Sequence, residues 1–90
     1  MKETDDNWTP TAEDATVESA VLQQVLDLHP VLVTLAELVR EVGGGSPGFG
    51  ERDAIERAVH NLTGAGLLHS HDAFLLPTRA ALRFDELLSR

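Results

Sequence analysis

Residues 57–82 read RAVHNLTGAGLLHSHDAFLLPTRAAL, and three changes of pattern within this stretch decide how the chain folds. Ala58, Val59 and Leu62, with Ile55 just upstream, recur at the three- and four-residue spacing of one helix face. Gly64 and Gly66 then interrupt the pattern, since a left-handed residue after a helix is most easily a glycine. The runs LLHS and AFLL around a polar HD read as two short strands joined by a tight turn. Pro77 closes the second strand, and Thr78 is placed to cap a last helix whose Ala80, Ala81, Phe84, Leu87 and Leu88 share a face. A helix over roughly 51–64, a two-stranded hairpin and a closing helix are therefore expected.

Working back from this stretch, Glu51 and Asp53 complement the positive end of the dipole of that third helix. The segment GGGSPGFG, 43–50, is a loop by composition. Upstream of it, Thr34 and Glu37 have the spacing of a capping box, and Leu35, Leu38, Val39 and Val42 follow at helical positions. VLV at 31–33 is a short β-branched run suited to one edge strand. Val17, Ala20, Val21, Val25 and Leu28 predict a first helix, started by Asp14 or Thr16 and ended by Pro30. Leu22 and Leu26 add a second apolar stripe to it, beyond a single core face.

The expected order is helix, strand, helix, helix, strand, strand, helix: mainly α with a small β-hairpin, an α+β class. This pattern, and the run RDAIERAVHNLTGAGLLHSHDAFLLPTRAALRF above all, resembles the third helix, wing and closing helix of small bacterial winged helix-turn-helix proteins. The resemblance covers most of residues 17–90 and implies a winged helix-turn-helix domain there, preceded by an acidic flexible tail over residues 1–16. It departs from that family in two places. The eight-residue connection GGGSPGFG replaces a turn of about three or four residues, and the wing tip has only about two residues.

Composition bounds what such a domain can do. Ninety residues form one domain, and a chain of this size buries only about 60% of the surface its unfolded form exposes, so a partner subunit is one source of added stability. There is no cysteine, which excludes disulfides and thiolate metal sites. The N-terminal MKETDDNWTP has no apolar run, and no stretch approaches the ~20 apolar residues of a membrane span, so a cytoplasmic protein without membrane contact is expected. The formal charge is -8, half of it carried by residues 1–16, where Lys2 stands against Glu3, Asp5, Asp6, Glu13 and Asp14. Trp8 is the one aromatic residue there and either docks on the domain or is incidental.

The resemblance implies that the exposed face of the third helix, with Arg52, Glu56, Arg57, His60, Asn61 and Thr63, would enter the major groove of double-stranded DNA. Arg52 and Arg57 have the chemistry for phosphates or guanine edges, and Asn61 for adenine. The charge argues against a general DNA footprint: over 51–83, Arg52, Arg57, Arg79 and Arg83 are balanced by Glu51, Asp53, Glu56 and Asp72, where nucleic-acid binders carry a basic stripe. Two functions therefore stand beside each other, a sequence-specific DNA-binding transcriptional regulator and a winged-helix module that binds a protein and not DNA. A homodimer is expected, through Leu22 and Leu26 of the first helix or Leu82, Phe84, Leu87 and Leu88 of the last. His60, His69 and His71 lack a fourth ligand and are read as polar surface, with no metal or cofactor. The glycine loop lacks the Lys and Ser/Thr of a phosphate loop. NLT at 61–63 matches a glycosylation acceptor but lies within a helix of a chain expected to be cytoplasmic. No nucleophile and base stand at catalytic spacing, so no enzyme is expected.

Overall fold

The computed structural model describes residues 12–43 and 49–89. Among these residues four helices and three strands follow in the order α1 (Ala12–Leu28), β1 (Val33–Thr34), α2 (Leu35–Val42), α3 (Phe49–Gly64), β2 (Leu68–His71), β3 (Phe74–Pro77) and α4 (Arg79–Leu88). The class is α+β, mostly helical, with one small antiparallel sheet in the order β1-β3-β2. No helix among the described residues is long and apolar enough to cross a membrane.

The elements arise where local chemistry asks for them. Thr34 opens α2 through a complete capping box: its hydroxyl accepts from the Glu37 N–H at 3.2 Å, and the Glu37 carboxylate accepts from the Thr34 N–H at 2.9 Å. At the far end of α3 the Leu67 N–H bonds the Leu62 carbonyl at 2.9 Å and the Gly66 N–H bonds the Thr63 carbonyl at 3.1 Å. Gly66 sits between them at φ +83. This is a Schellman closure, in which the left-handed residue reverses the chain and orphan helix carbonyls are satisfied. Leu67, the residue after the glycine, then packs back on the core.

Thr78 joins the two sides of the hairpin. Its N–H donates to the Leu67 carbonyl at 3.0 Å, and its hydroxyl donates to the Gly66 carbonyl at 2.7 Å while accepting from the Ala81 N–H at 3.1 Å. One residue thus caps α4 and ties it to the end of α3. Between them, β3 pairs on one side with β1, Val33 opposite Leu75, and on the other with β2, Leu68 opposite Pro77. A single core cluster gathers Val21 and Val25 from α1, Val33, Leu38 and Val39 from β1 and α2, Ile55, Ala58 and Leu62 from α3, and Leu68 and Leu75 from the hairpin. Among the described residues no polar or charged side chain is buried.

Several boundaries differ from the sequence reading. α1 begins at Ala12, so Asp14 and Thr16 lie inside the helix and do not cap it, and residues 12–16 belong to the fold instead of the tail. The acids Glu13 and Asp14 in its first turn suit the positive end of the helix dipole. The rest of the expected tail, with Trp8, lies outside the described residues. Val31 and Leu32 are exposed and precede the strand: the Val31 N–H still turns back to the Leu28 carbonyl at 2.7 Å, beside a cis His29–Pro30 peptide, and pairing with β3 starts only at Val33. α3 starts at Phe49, inside the segment read as a loop; residues 44–48 of that loop lie outside the described residues.

The hairpin tip is Asp72–Ala73, one residue later than expected, because His71 pairs with Phe74. Asp72 takes φ 58 there, and Asp is among the few non-glycine residues that adopt this region readily. Leu22 packs against the core cluster and Leu26 and Leu82 are half-buried, so these three are not the open apolar surface the sequence suggested. For Leu22 the reason is that α1 meets α2, α3 and β3 together, so more than one of its sides is covered.

Candidate functional site

The face of α3 is the surface on which the sequence placed its candidate contacts. Ile55, Ala58 and Leu62 point into the core, and a helix that buries one face presents the other outward. Arg52, Glu56, His60 and Thr63 are exposed on that outer side. The Thr63 hydroxyl is turned inward on its own helix, donating to the Val59 carbonyl at 2.7 Å.

Arg57 and Asn61 sit apart from these four, on the edge beside α1. One guanidinium nitrogen of Arg57 donates to Asp14 Oδ1 at 3.1 Å and the other to Asp53 Oδ2 at 3.3 Å. One turn further on, Asn61 Nδ2 donates to Glu18 Oε2 at 3.0 Å. Both inter-helix pairs span 43 residues, so α1 and α3 run in the same direction here and present matching polar groups at the same four-residue step. The hydrogen bond and charge of Asp14, then the charge of Asp53, push the Arg57 pKa above its ordinary value. A raised arginine pKa adds stability that is lost only as the pH climbs through the raised value, beyond the working range, so Arg57 stays cationic throughout.

The six candidates therefore divide into four on the open face and two engaged by α1. Asp14 and Glu18, the partners in this arrangement, were not among the residues picked out from sequence. Their four-residue spacing matches that of Arg57 and Asn61, but the match acquires meaning only once α1 is known to lie against α3. Across α3 and the adjoining edge of α1, Arg52 and Arg57 are set among Asp14, Glu18, Glu51, Asp53 and Glu56. The hairpin continues this polar surface with exposed His69, Ser70 and His71, and His71 Nε2 lies 3.8 Å from Asp72 Oδ2. No group of three or more His, Asp or Glu side chains with metal-binding geometry occurs among the described residues.

Among the residues whose side chains are described, the exposed large hydrophobic ones are Leu28, Val31 and Leu32 at the α1–β1 turn and Phe84, Leu87 and Leu88 on α4. A cleft lined by Leu28, Val31, Leu32, Gln24 and Arg40 lies between the end of α1 and α2. A second, lined by His29, Arg79, Leu82, Arg83 and Glu86, lies between the same turn and α4. Comparison of the chain with models of protein families, with curated proteins and with solved structures returns no match in any of the three.

Proposed function

We propose that the chain is a winged helix-turn-helix regulatory protein that works through protein contacts and does not read DNA with α3. The winged-helix reading is supported by the order of elements and by β3 lying between β1 and β2. In it α2 and α3 are the helix-turn-helix pair and the β2–β3 hairpin is the wing. The observation that carries the functional reading is the polar pairing along the α1–α3 edge. A phosphate or base edge seeking Arg57 or Asn61 has to displace Asp14 or Glu18 and then sit beside those carboxylates. Affinity for DNA in general comes from neutralising phosphates and releasing counterions, and an acid-rich surface offers the opposite sign. Among the residues whose side chains are described, the large apolar ones left in solvent lie at the α1–β1 turn and on α4, where protein contact is the chemistry available.

A second reading, recognition of DNA by the open face of α3, is favoured by the exposed Arg52 and His60 on a helix placed as a recognition helix. Fluorescence anisotropy on labelled random and genomic duplexes separates the two. Under the protein-contact reading neither the full chain nor a form lacking residues 1–11 binds more tightly than roughly 10⁻⁴ M at physiological salt. DNA recognition gives binding that R52A and R57A weaken, with the salt slope falling by about one for each lost phosphate contact. That truncation leaves Asp14 in place, where a cut at residue 16 removes the first turn of α1.

A further inference from the structure

α1 begins alongside the first half of α3, and an open hollow of about 380 Å³ lies between them, lined by Glu13, Asp14, Thr16 and Val17 of α1 and by Ala54 and Arg57 of α3. Part of this lining is apolar: Val17 packs against the core cluster and Ala54 is half-buried. Another part is the Arg57 guanidinium, which two carboxylates hold through different terminal nitrogens, Asp14 at 3.1 Å and Asp53 at 3.3 Å. Hydrogen bonds of that kind lie in the plane of the group and leave its flat faces to other contacts. A fixed guanidinium plane beside apolar surface suits an aromatic ring.

The chain itself carries such a ring within reach. We propose that Trp8, in the segment that leads into α1, docks in this hollow with its indole stacked on the Arg57 guanidinium and set against Val17 and Ala54. Trp8 is the only tryptophan of the chain and the only aromatic residue before α1. Four residue steps separate it from Ala12, at most roughly 14 Å of extended chain. The α1 residues of the lining run from Glu13 to Val17, which ends only about 7.5 Å along the helix axis from Ala12. So short a tether holds the ring near the hollow at roughly millimolar effective concentration. Charge favours the same placement. The stretch Asn7-Trp8-Thr9-Pro10-Thr11 is uncharged and brings no like charge to Glu13 and Asp14, while Glu3, Asp5 and Asp6 come earlier in the chain. Docked in this way, the segment is a strap across the start of the α1–α3 edge, and any ligand seeking Arg57 has an indole to displace as well as Asp14.

The inference goes beyond the protein-contact reading and does not depend on it, since the Asp14–Arg57 and Glu18–Asn61 pairs stand whether or not Trp8 docks. With a single tryptophan, fluorescence of the full chain reports this one position. Its emission is expected to be blue-shifted, and its quenching by acrylamide weaker, relative to a synthetic peptide of residues 1–11, equally at low and high micromolar concentration. R57A is expected to lower the ratio of docked to free Trp8 roughly threefold, the size of a partly exposed stack. A54E, which sets a carboxylate in the apolar lining, is expected to bring emission and quenching to the values of the peptide with unchanged far-UV circular dichroism. R83A, on α4, leaves the signal as it is in the wild type. R57A lies on the helix surface and carries the test even if A54E does not fold. Emission and quenching equal to those of the peptide overturn the proposal. Protection that R57A leaves intact places Trp8 elsewhere and overturns the site. Protection that grows with concentration puts Trp8 in the hollow of a second copy and overturns docking within one chain.

Discussion

α3 and α4 flank the same hairpin and share a residue-level junction, yet the molecule treats them in opposite ways. α3 drives three side chains into the core and meets α1 along its length, and even its exposed edge is occupied by Asp14 and Glu18. α4 buries only Ala81, hangs on the Thr78 cap and β3, and turns Phe84, Leu87 and Leu88 to solvent. The helix that a winged-helix fold would assign to recognition is thus the one already satisfied from within. The helix at the end of the described chain is the one left unsatisfied. Polarity of a face is not evidence of availability, since polar groups can be spent on a neighbour as fully as apolar ones.

The comparison breaks most visibly under truncation of core side chains. Ile55→Ala on α3 is expected to cost about 2–5 kcal/mol in urea unfolding, because it leaves a cavity among α1, α2 and the hairpin. Leu88→Ala on α4 is expected to stay within about 0.5 kcal/mol of wild type. Equal losses would mean that α4 is as embedded as α3.

The junction between the two helices comes next in size. Gly66→Ala forces a side chain into the left-handed region, and since a Cβ there meets nothing within 4 Å, the whole cost is backbone strain. About 1–2 kcal/mol is expected, read as a lower urea midpoint at unchanged slope. Thr78→Ala removes the α4 cap and the bond to the Gly66 carbonyl together. About 1 kcal/mol is expected, with amide exchange accelerating in α4 and not in α3, and Thr78→Ser recovering most of the loss.

The smallest effect belongs to the α1–α3 edge. Arg57 is half-exposed, its pairs are screened by water and salt, and Arg57→Ala is expected to shift the thermal midpoint less than either junction variant, with a smaller shift at high salt. The same substitution leaves DNA affinity unchanged in the anisotropy assay. A loss of DNA binding on this variant would show that the edge opens to a ligand, and the contrast between the two helices would have to be withdrawn.

Local chemistry carried much of the fold into view before any coordinates. The Thr34–Glu37 box, the Gly66 reversal, the Thr78 cap and the Ile55, Ala58, Leu62 face all depend on groups three to seven residues apart, so their spacing reports them directly. The misses fall where a distant partner decides. β1 was displaced from 31–33 to 33–34 because pairing with Leu75 and Phe74 sets where it begins. Leu22 was withdrawn from the surface because α1 has neighbours on several sides. α1 extended back to Ala12, and the Asp14 within that added turn pairs with Arg57.

What this sequence determined by itself, then, is the succession of helices and strands, the caps at Thr34 and Thr78 and the inward face of α3, because each follows from short-range hydrogen bonding and from the period of apolar residues. Only the tertiary structure decided which outward faces remain open. Asp14 and Glu18 are separated from Arg57 and Asn61 by 43 residues of chain, and nothing in their local spacing says that α1 will lie alongside α3 in register. That alignment comes from the shared burial of Val21, Val25, Ile55, Ala58 and Leu62 in one cluster, where close packing admits few relative placements of two helices. It closes the polar edge of α3 and leaves α4 with its apolar stripe in water.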